Sequence, residues 1–272
     1  MIGFIGAGNM GSAILHGILT AKIASPSDIY FSRTNETAGR ELAQKTGTSF
    51  IQSNRELIEA VGSGIVIIGV KPAVMPSVLK EIREPAAKAG TTLVSLAAGT
   101  TLASITSYLD AGQPVVRAMP NVCASIGLGV TALCSHHTVS STQFEEVRAI
   151  FNAVGTAIEL EEKDFFAFTA IAGSSPAWTF QYIDSLARGA LAAGMHKDDA
   201  LRAAARAVLG AAQLVLDSLE NDVRPQALID TVTSPGGTTI AGLIAAEEEG
   251  FSRATLAAVA ACIARDQEIA DA

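Results

Sequence analysis

Two patterns of hydrophobic and polar positions follow one another along the chain. From residue 1 to about 160, short apolar runs rich in β-branched residues alternate with stretches of helical period. The runs Ile2–Ile5, Ile29–Phe31, Ile65–Val70, Thr92–Leu96, Val115–Arg117, Val130–Leu133 and Ala157–Leu160 read as strands. A run such as Ile65-Val66-Ile67-Ile68 has no polar face, the mark of a strand covered on both sides and hence of a parallel sheet. Helices are expected between the strands, near 10–21, 36–46, 54–61, 74–83 and 141–153. Such alternation predicts a doubly wound α/β domain of Rossmann type over residues 1–160.

From residue 161 to 272 the period changes. Leu201, Ala205, Val208, Ala212, Val215 and Leu219 follow steps of four and three, which puts them on one helix face. Phe180, Ile183, Ala187, Ala190 and Leu191 do the same before them, and the stretch from Ser252 onward is expected to turn Leu256, Val259, Ala260 and Ile263 inward. Gly189, Gly194 and Gly210 weaken helices but let them approach closely. This part reads as an all-helical domain, with more apolar face than one α/β domain can cover, so a dimer is expected.

Composition narrows the function. Of 272 residues, 49% are hydrophobic and 17% charged, which excludes a disordered chain. A net charge of -8 with no basic stretch argues against nucleic acid and anionic membranes as partners. No apolar run approaches the ~20 residues of a membrane span, and no basic leader precedes MIGFIGAG, so a cytoplasmic protein is expected. Cys123, Cys134 and Cys262 lie far apart and read as small buried apolar residues rather than ligands or disulfides. His16, His136, His137 and His196 share no metal-ligand spacing, and no metal site is expected.

Gly6-Ala7-Gly8-Asn9-Met10-Gly11 follows the first strand and opens a helix. In that setting the first glycine makes the turn, the second lets a pyrophosphate approach the backbone, and the third packs helix on strand. Free N–H groups at the helix start then bind the phosphates. The second strand runs into Ser32-Arg33-Thr34 with no carboxylate before Glu36. A guanidinium with hydroxyl neighbours suits the 2′-phosphate of NADPH, with NADH a weaker alternative. Val70-Lys71-Pro72 ends the strongest of the buried apolar runs, at the sheet's carboxyl edge, where ligands bind in such folds and Lys71 can face cofactor or substrate. Ala97-Ala98-Gly99 is small enough for a nicotinamide ring to lie against it, and Met119-Pro120-Asn121 can close the pocket floor.

In the helical part, Thr233-Ser234-Pro235-Gly236-Gly237-Thr238-Thr239 joins two helices, and its exposed N–H groups and hydroxyls form a receptor for a carboxylate. Ala172-Gly173-Ser174-Ser175-Pro176 looks like a second such turn. Reducing a ketone calls for a strong proton donor, and this half holds two lysines, Lys163 and Lys197, one histidine, His196, and no acid–base pair that reads as buried. A protonated imine needs almost no proton from the protein, so imine reduction fits better than alcohol oxidation.

GFIGAGNMG, VKP at 70–72, AAG at 97–99, MPN at 119–121, GSSPAW at 173–178 and TVTSPGGTTIAGL at 231–243 together resemble the pyrroline-5-carboxylate reductase family over essentially the whole chain. The resemblance implies NADPH-dependent reduction of 1-pyrroline-5-carboxylate to L-proline, the closing step of proline synthesis. It also implies a homodimer with interlocking helical domains, often gathered into larger rings, with the active site built from two chains. By the same resemblance Asn54 contacts the ribose, and Ser174 lies near nicotinamide and substrate. Gly237, Thr238 and Thr239 cradle the carboxylate, with Thr239 nearest the imine nitrogen. The chain departs from the pattern at Ser175, Trp178, Cys123 and Ile229. Two alternatives stay open. A β-hydroxyacid dehydrogenase shares the two-part plan but resembles a pattern with a catalytic lysine, and residues 165–195 contain none. An NADP(H)-sensing protein without turnover would keep the same fold.

Overall fold

The structure, a computed structural model, describes residues 1–271. Its strands are β1 (Ile2–Ile5), β2 (Ile29–Ser32), β3 (Ser49–Phe50), β4 (Ile65–Ile68), β5 (Thr92–Ser95), β6 (Val115–Pro120), β7 (Gly129–Ser135) and β8 (Gly155–Glu159). They form one sheet in the order β3-β2-β1-β4-β5-β6-β7-β8. Between and after them come α1 (Asn9–Thr20), α2 (Glu36–Thr46), α3 (Asn54–Val61), α4 (Met75–Ala89), α5 (Leu102–Thr106), α6 (Ser141–Asn152) and α7 (Phe165–Phe168). The helical part holds α8 (Ser175–Ala192), α9 (Lys197–Leu219), α10 (Pro225–Val232), α11 (Thr238–Glu248) and α12 (Phe251–Asp271).

The buried alternation along each strand explains the two layers of helices. Ile65 and Ile67 of β4 join the core on one face with Phe4, Ile14, Leu15 and Phe31. Val66 and Ile68 join the other face with Leu57, Ile58, Leu79 and Ile82. A side-chain period of two places successive residues on opposite faces, so an unbroken apolar run buries both. β1 through β6 pair parallel, as the apolar runs predict. β7 runs antiparallel to β6 and β8 parallel to β7, so the sheet is mixed at that side. The connection explains the reversal: only eight residues separate β6 from β7, too few for a crossover between parallel strands.

Several elements differ from the sequence reading. β3 is two residues long and α5 five, too short for a hydrophobic period to repeat. α4 runs on to Ala89 through Pro85, where proline and its preceding residue argue for an end. Leu256 is 71% exposed, and Ala260 is exposed with it, rather than facing inward. Cys134 is buried, but Cys123 and Cys262 are only half-buried.

Two compact units emerge. One comprises Met1–Gly173 together with the chain from Cys262 on, and the other Ser174–Ala261. Past the boundary expected at residue 160, Phe165 and Phe168 are buried in the sheet's core, which ties α7 to the first unit. In the second unit α8 packs along α9, and the Tyr182 and Phe251 rings meet at 5.9 Å between centroids. Its only buried side chains among the described residues are alanines: Ala187, Ala200 and Ala204.

Candidate active site

The turn after β1 is built as its glycines require. Gly6 adopts φ +84°, and a side chain there would press on Val70 and Gly69. At Gly11 a Cβ would lie 3.2 Å from the Gly6 carbonyl, so the helix seats directly on the turn. Above Gly8 there is open space, with nothing within 4 Å of where a Cβ would be. Gly8 caps α1 with no side chain, and Ser12 N–H makes the helix's first bond, back to Gly8 O at 2.8 Å. The amides of Asn9, Met10 and Gly11 therefore point free from the helix start, while Gly6 and Ala7 amides bond Ser32 O at 3.1 and 3.0 Å. β1 and β4 meet here, at the point where strand order reverses and ligands bind in open α/β sheets.

Beside the turn a cleft gathers Gly6, Ser32, Arg33, Thr34, Asn54 and Val70. Gln52, Ser77 and Glu81 line it too. None of these three was singled out in the sequence, because a glutamine in a loop and two polar residues on one helix carry no motif. Ser32 ends β2 almost fully buried, and its hydroxyl donates to Asn54 Oδ1 at 2.7 Å. Asn54, the first residue of α3, donates from Nδ2 to Glu81 Oε2 at 2.9 Å. Arg33 makes one long bond to Ala38 O, at 3.5 Å, which leaves most of its guanidinium donors for a ligand.

The remaining cofactor candidates lie along the carboxyl edge with different surroundings. Lys71 and Pro72 are exposed after β4, where Lys71 precedes a single 3₁₀ turn. Ala97 is buried and Ala98 half-buried. Gly99 has φ +67°, and its missing side chain would fall 3.0 Å from Ile269 of α12, so its smallness serves helix packing on that side. Asn121 is 8% exposed and spends its amide on the protein: Nδ2 donates to Ala172 O at 3.0 Å, and Oδ1 accepts from Val130 N–H at 3.2 Å. Nearby, Arg117 is 2% exposed, pairs with Glu162 at 3.0 Å and lies 4.5 Å from the Phe165 ring centroid. Glu162 also accepts from Leu102 N–H at the start of α5. Burial first, then Glu162, push the Cys134 thiol up to about 12 despite Arg117, so this cysteine stays protonated.

Ala172–Pro176 is not the interhelical turn expected from sequence. Residues Thr169–Ser174 form a π-helical turn that leads straight into α8. Proline has no N–H to give to the carbonyl four residues back, here Ala172, and it is that carbonyl which Asn121 satisfies. A single π turn of this kind widens the helix and is common at functional sites. Ser174 stands at its end.

In the second unit, α10 ends at Val232 and α11 begins at Thr238. Gly237 N–H bonds Ser234 O at 2.9 Å, with Pro235 and Gly236 between them and Gly236 at φ +68°, the signature of a type II turn. Gly237 caps α11 without a side chain, so the first-turn amides of Thr238 and Thr239 are left open at the positive end of the helix. Thr231 and Thr233 hydroxyls bond back to α10 carbonyls. Those of Ser234, Thr238 and Thr239 find no partner among the described residues. Such a turn can receive a carboxylate. Among the described residues no group of His, Cys, Asp or Glu could hold a metal ion, and no helix is long and apolar enough to cross a membrane.

Known proteins match both parts. Residues 162–269 match the model of pyrroline-5-carboxylate reductase dimerisation domains, and residues 1–99 that of coenzyme F420-dependent NADP oxidoreductases. The pyrroline-5-carboxylate reductase of Methanosarcina acetivorans is 36% identical, with 98% of this chain and 97% of the relative covered. The chain belongs to the pyrroline-5-carboxylate reductase family. The Escherichia coli reductase is 34% identical over the same shares. Among solved structures, the reductase of Coxiella burnetii superposes with TM-score 0.90 at 30% identity, covering 98% of this chain and 97% of that one. The pyrroline carboxylate reductase of Plasmodium falciparum, solved with NADP bound, gives 0.88 at 29%, covering 99% and 97%. This reductase-family chain is thus an oxidoreductase that works with a nicotinamide cofactor. Of its departures, Ser175 opens α8, Trp178 is half-buried, Cys123 lies in a 3₁₀ turn, and Ile229 is exposed on α10.

Proposed function

We propose that the protein reduces 1-pyrroline-5-carboxylate to L-proline with NADPH, the last step of proline biosynthesis, as a homodimer that can gather into a ring of dimers. The observation that carries the reading is the uncapped start of α11 after its Pro-Gly-Gly turn: open amides beside unpartnered hydroxyls suit a small carboxylate. The names of the full-length relatives support the substrate.

The first unit fits a dinucleotide. Open space over Gly8, free amides at Asn9, Met10 and Gly11, and the Arg33 guanidinium in the adjoining cleft match a pyrophosphate and a 2′-phosphate in turn. Ser32, Thr34 and Asn54 would hold the ribose side, and Val70, Lys71, Pro72, Ala97, Ala98 and Gly99 the carboxyl edge. When bound, the cofactor supplies hydride. The chain's own residues then bind and orient. Ser234, Gly236, Gly237 and Thr238 hold the substrate carboxylate, Thr239 hydrogen-bonds the ring nitrogen, and Ser174 borders the reacting carbon. A cyclic imine that arrives protonated leaves as a neutral amine after reduction, so no strongly acidic side chain is needed.

The test is NADPH oxidation by the purified protein with pyrroline-5-carboxylate, against pyrroline-2-carboxylate and the six-membered piperideine analogues. Preference for the first supports the reading. Turnover only with another ring reassigns the substrate, and none with any imine returns the protein to a binding role.

A further inference from the structure

We propose that Glu81 is a specificity-determining residue, one that moderates the preference for NADPH by opposing the 2′-phosphate and accepting from an unphosphorylated ribose. This deepens the cofactor reading above and rests on it. In many dinucleotide folds an acid at the end of the second strand accepts from the ribose 2′-OH and thereby selects NADH. Here β2 ends in Ser32 followed by Arg33, and the strand supplies no acid. The fold delivers one from elsewhere. Ser77, Val78 and Glu81 lie one turn apart on α4 and line the same cleft as Arg33 and Thr34.

The hydrogen bonds define what Glu81 does there. A carboxylate can only accept, so Asn54 must turn its amide nitrogen toward Glu81 Oε2. That orientation presents Oδ1 to Ser32, whose hydroxyl donates. Glu81 thus sets the polarity of a chain running from β2 through α3 to α4, and its second carboxylate oxygen remains an acceptor. No ion pair neutralises it among the described residues. The nearby Arg55 instead bonds the Glu81 backbone carbonyl at 3.3 Å and sends its charge to Glu84 at 3.2 Å. The cleft therefore carries one guanidinium that favours a phosphate and one free carboxylate that disfavours it, while a ribose hydroxyl finds an acceptor. Both cofactors are admitted, and the margin between them is set by the distance of the phosphate from two opposite charges.

Glu81→Gln tests this, because the amide can still accept from Asn54 Nδ2 while the charge is gone. Dissociation constants for NADPH and for NADH are read by fluorescence titration of the purified full-length protein, with and without the substitution. NADPH should bind about three- to tenfold more tightly and NADH about two- to threefold more weakly, as loss of one nearby unit charge implies. The gain for NADPH should shrink as salt is raised to about 0.5 M, where such a charge is screened. A ratio of the two constants that does not move, or a change that salt leaves untouched, overturns the proposal. Failure of the unmodified protein to bind either dinucleotide overturns the cofactor reading itself and this proposal with it.

Discussion

Arg33 and Thr239 are the two side chains on which the proposed chemistry depends most, and each can be removed with little disturbance to the fold. Arg33 is half-buried in the cleft and makes one long backbone bond. Loss of a charge-assisted contact to phosphate costs about 1.5–3 kcal/mol. Arg33→Ala should therefore raise the Michaelis constant for NADPH roughly tenfold or more and leave that for NADH nearly unchanged. Equal losses with both cofactors would show that Arg33 is not read through the 2′-phosphate. Thr239 is exposed in the first turn of α11 and holds no partner of its own. Thr239→Val keeps the shape and removes the hydroxyl. Turnover should drop about 10²-fold, within the range of orienting and acid–base groups, while NADPH affinity hardly moves. An unchanged turnover number in steady-state assays would end its assigned role.

At the scale of elements, the π turn Thr169–Ser174 and its brace are the feature to probe. Pro176 withholds an N–H and Asn121 supplies one, so a loop residue at the end of β6 decides whether this helix holds its wide turn. Asn121→Ala would orphan the buried Ala172 C=O, at about 1–3 kcal/mol, and also free the part-buried Val130 N–H. The variant should melt several degrees lower, and amide exchange over 169–175 should quicken by at least tenfold. Exchange there at the unmodified rate would mean that the turn is held by its own helix. Asn121 was expected at the pocket floor; the bonds it makes tie Ala172 and Val130 together.

For the whole molecule, the second unit poses a question of solvent exposure. Phe180, Leu214, Leu216 and Leu256 are each more than half exposed, and only three alanines of this unit are buried. Fully burying one such large side chain is worth about 1.5–3 kcal/mol, so helices this apolar do not rest in water as single copies. An obligate dimer is therefore the expected state of the protein in solution. Light scattering on a sizing column at micromolar concentration should give twice the chain mass of 28.0 kDa, or a multiple of that dimer. A well-folded active monomer would contradict it. Leu256 and Ala260 belong to this exposed face: their period was read as core, and a partner copy is what the dimer prediction expects to cover them.

The amino-acid sequence by itself determined what depends on local repetition. Unbroken apolar runs implied a sheet covered twice, since each strand residue alternates faces regardless of its neighbours. Gly6, Gly8 and Gly11 announced the turn because backbone conformation, open space and close helix contact each demand glycine at that spacing. Pro235-Gly236-Gly237 did the same between α10 and α11. Tertiary structure decided what depends on residues distant in the chain. The reversal of β7 followed from a connection too short for a parallel crossover, not from anything in the strand's own composition. Gly99 met α12 from 170 residues away, Asn121 met a carbonyl that a proline had left unpaired, and Glu81 entered the cleft from α4. A hydrogen bond or a contact of that kind has no period, because its two partners are brought together only by the packing of whole elements, and so no run of residues could have foretold it.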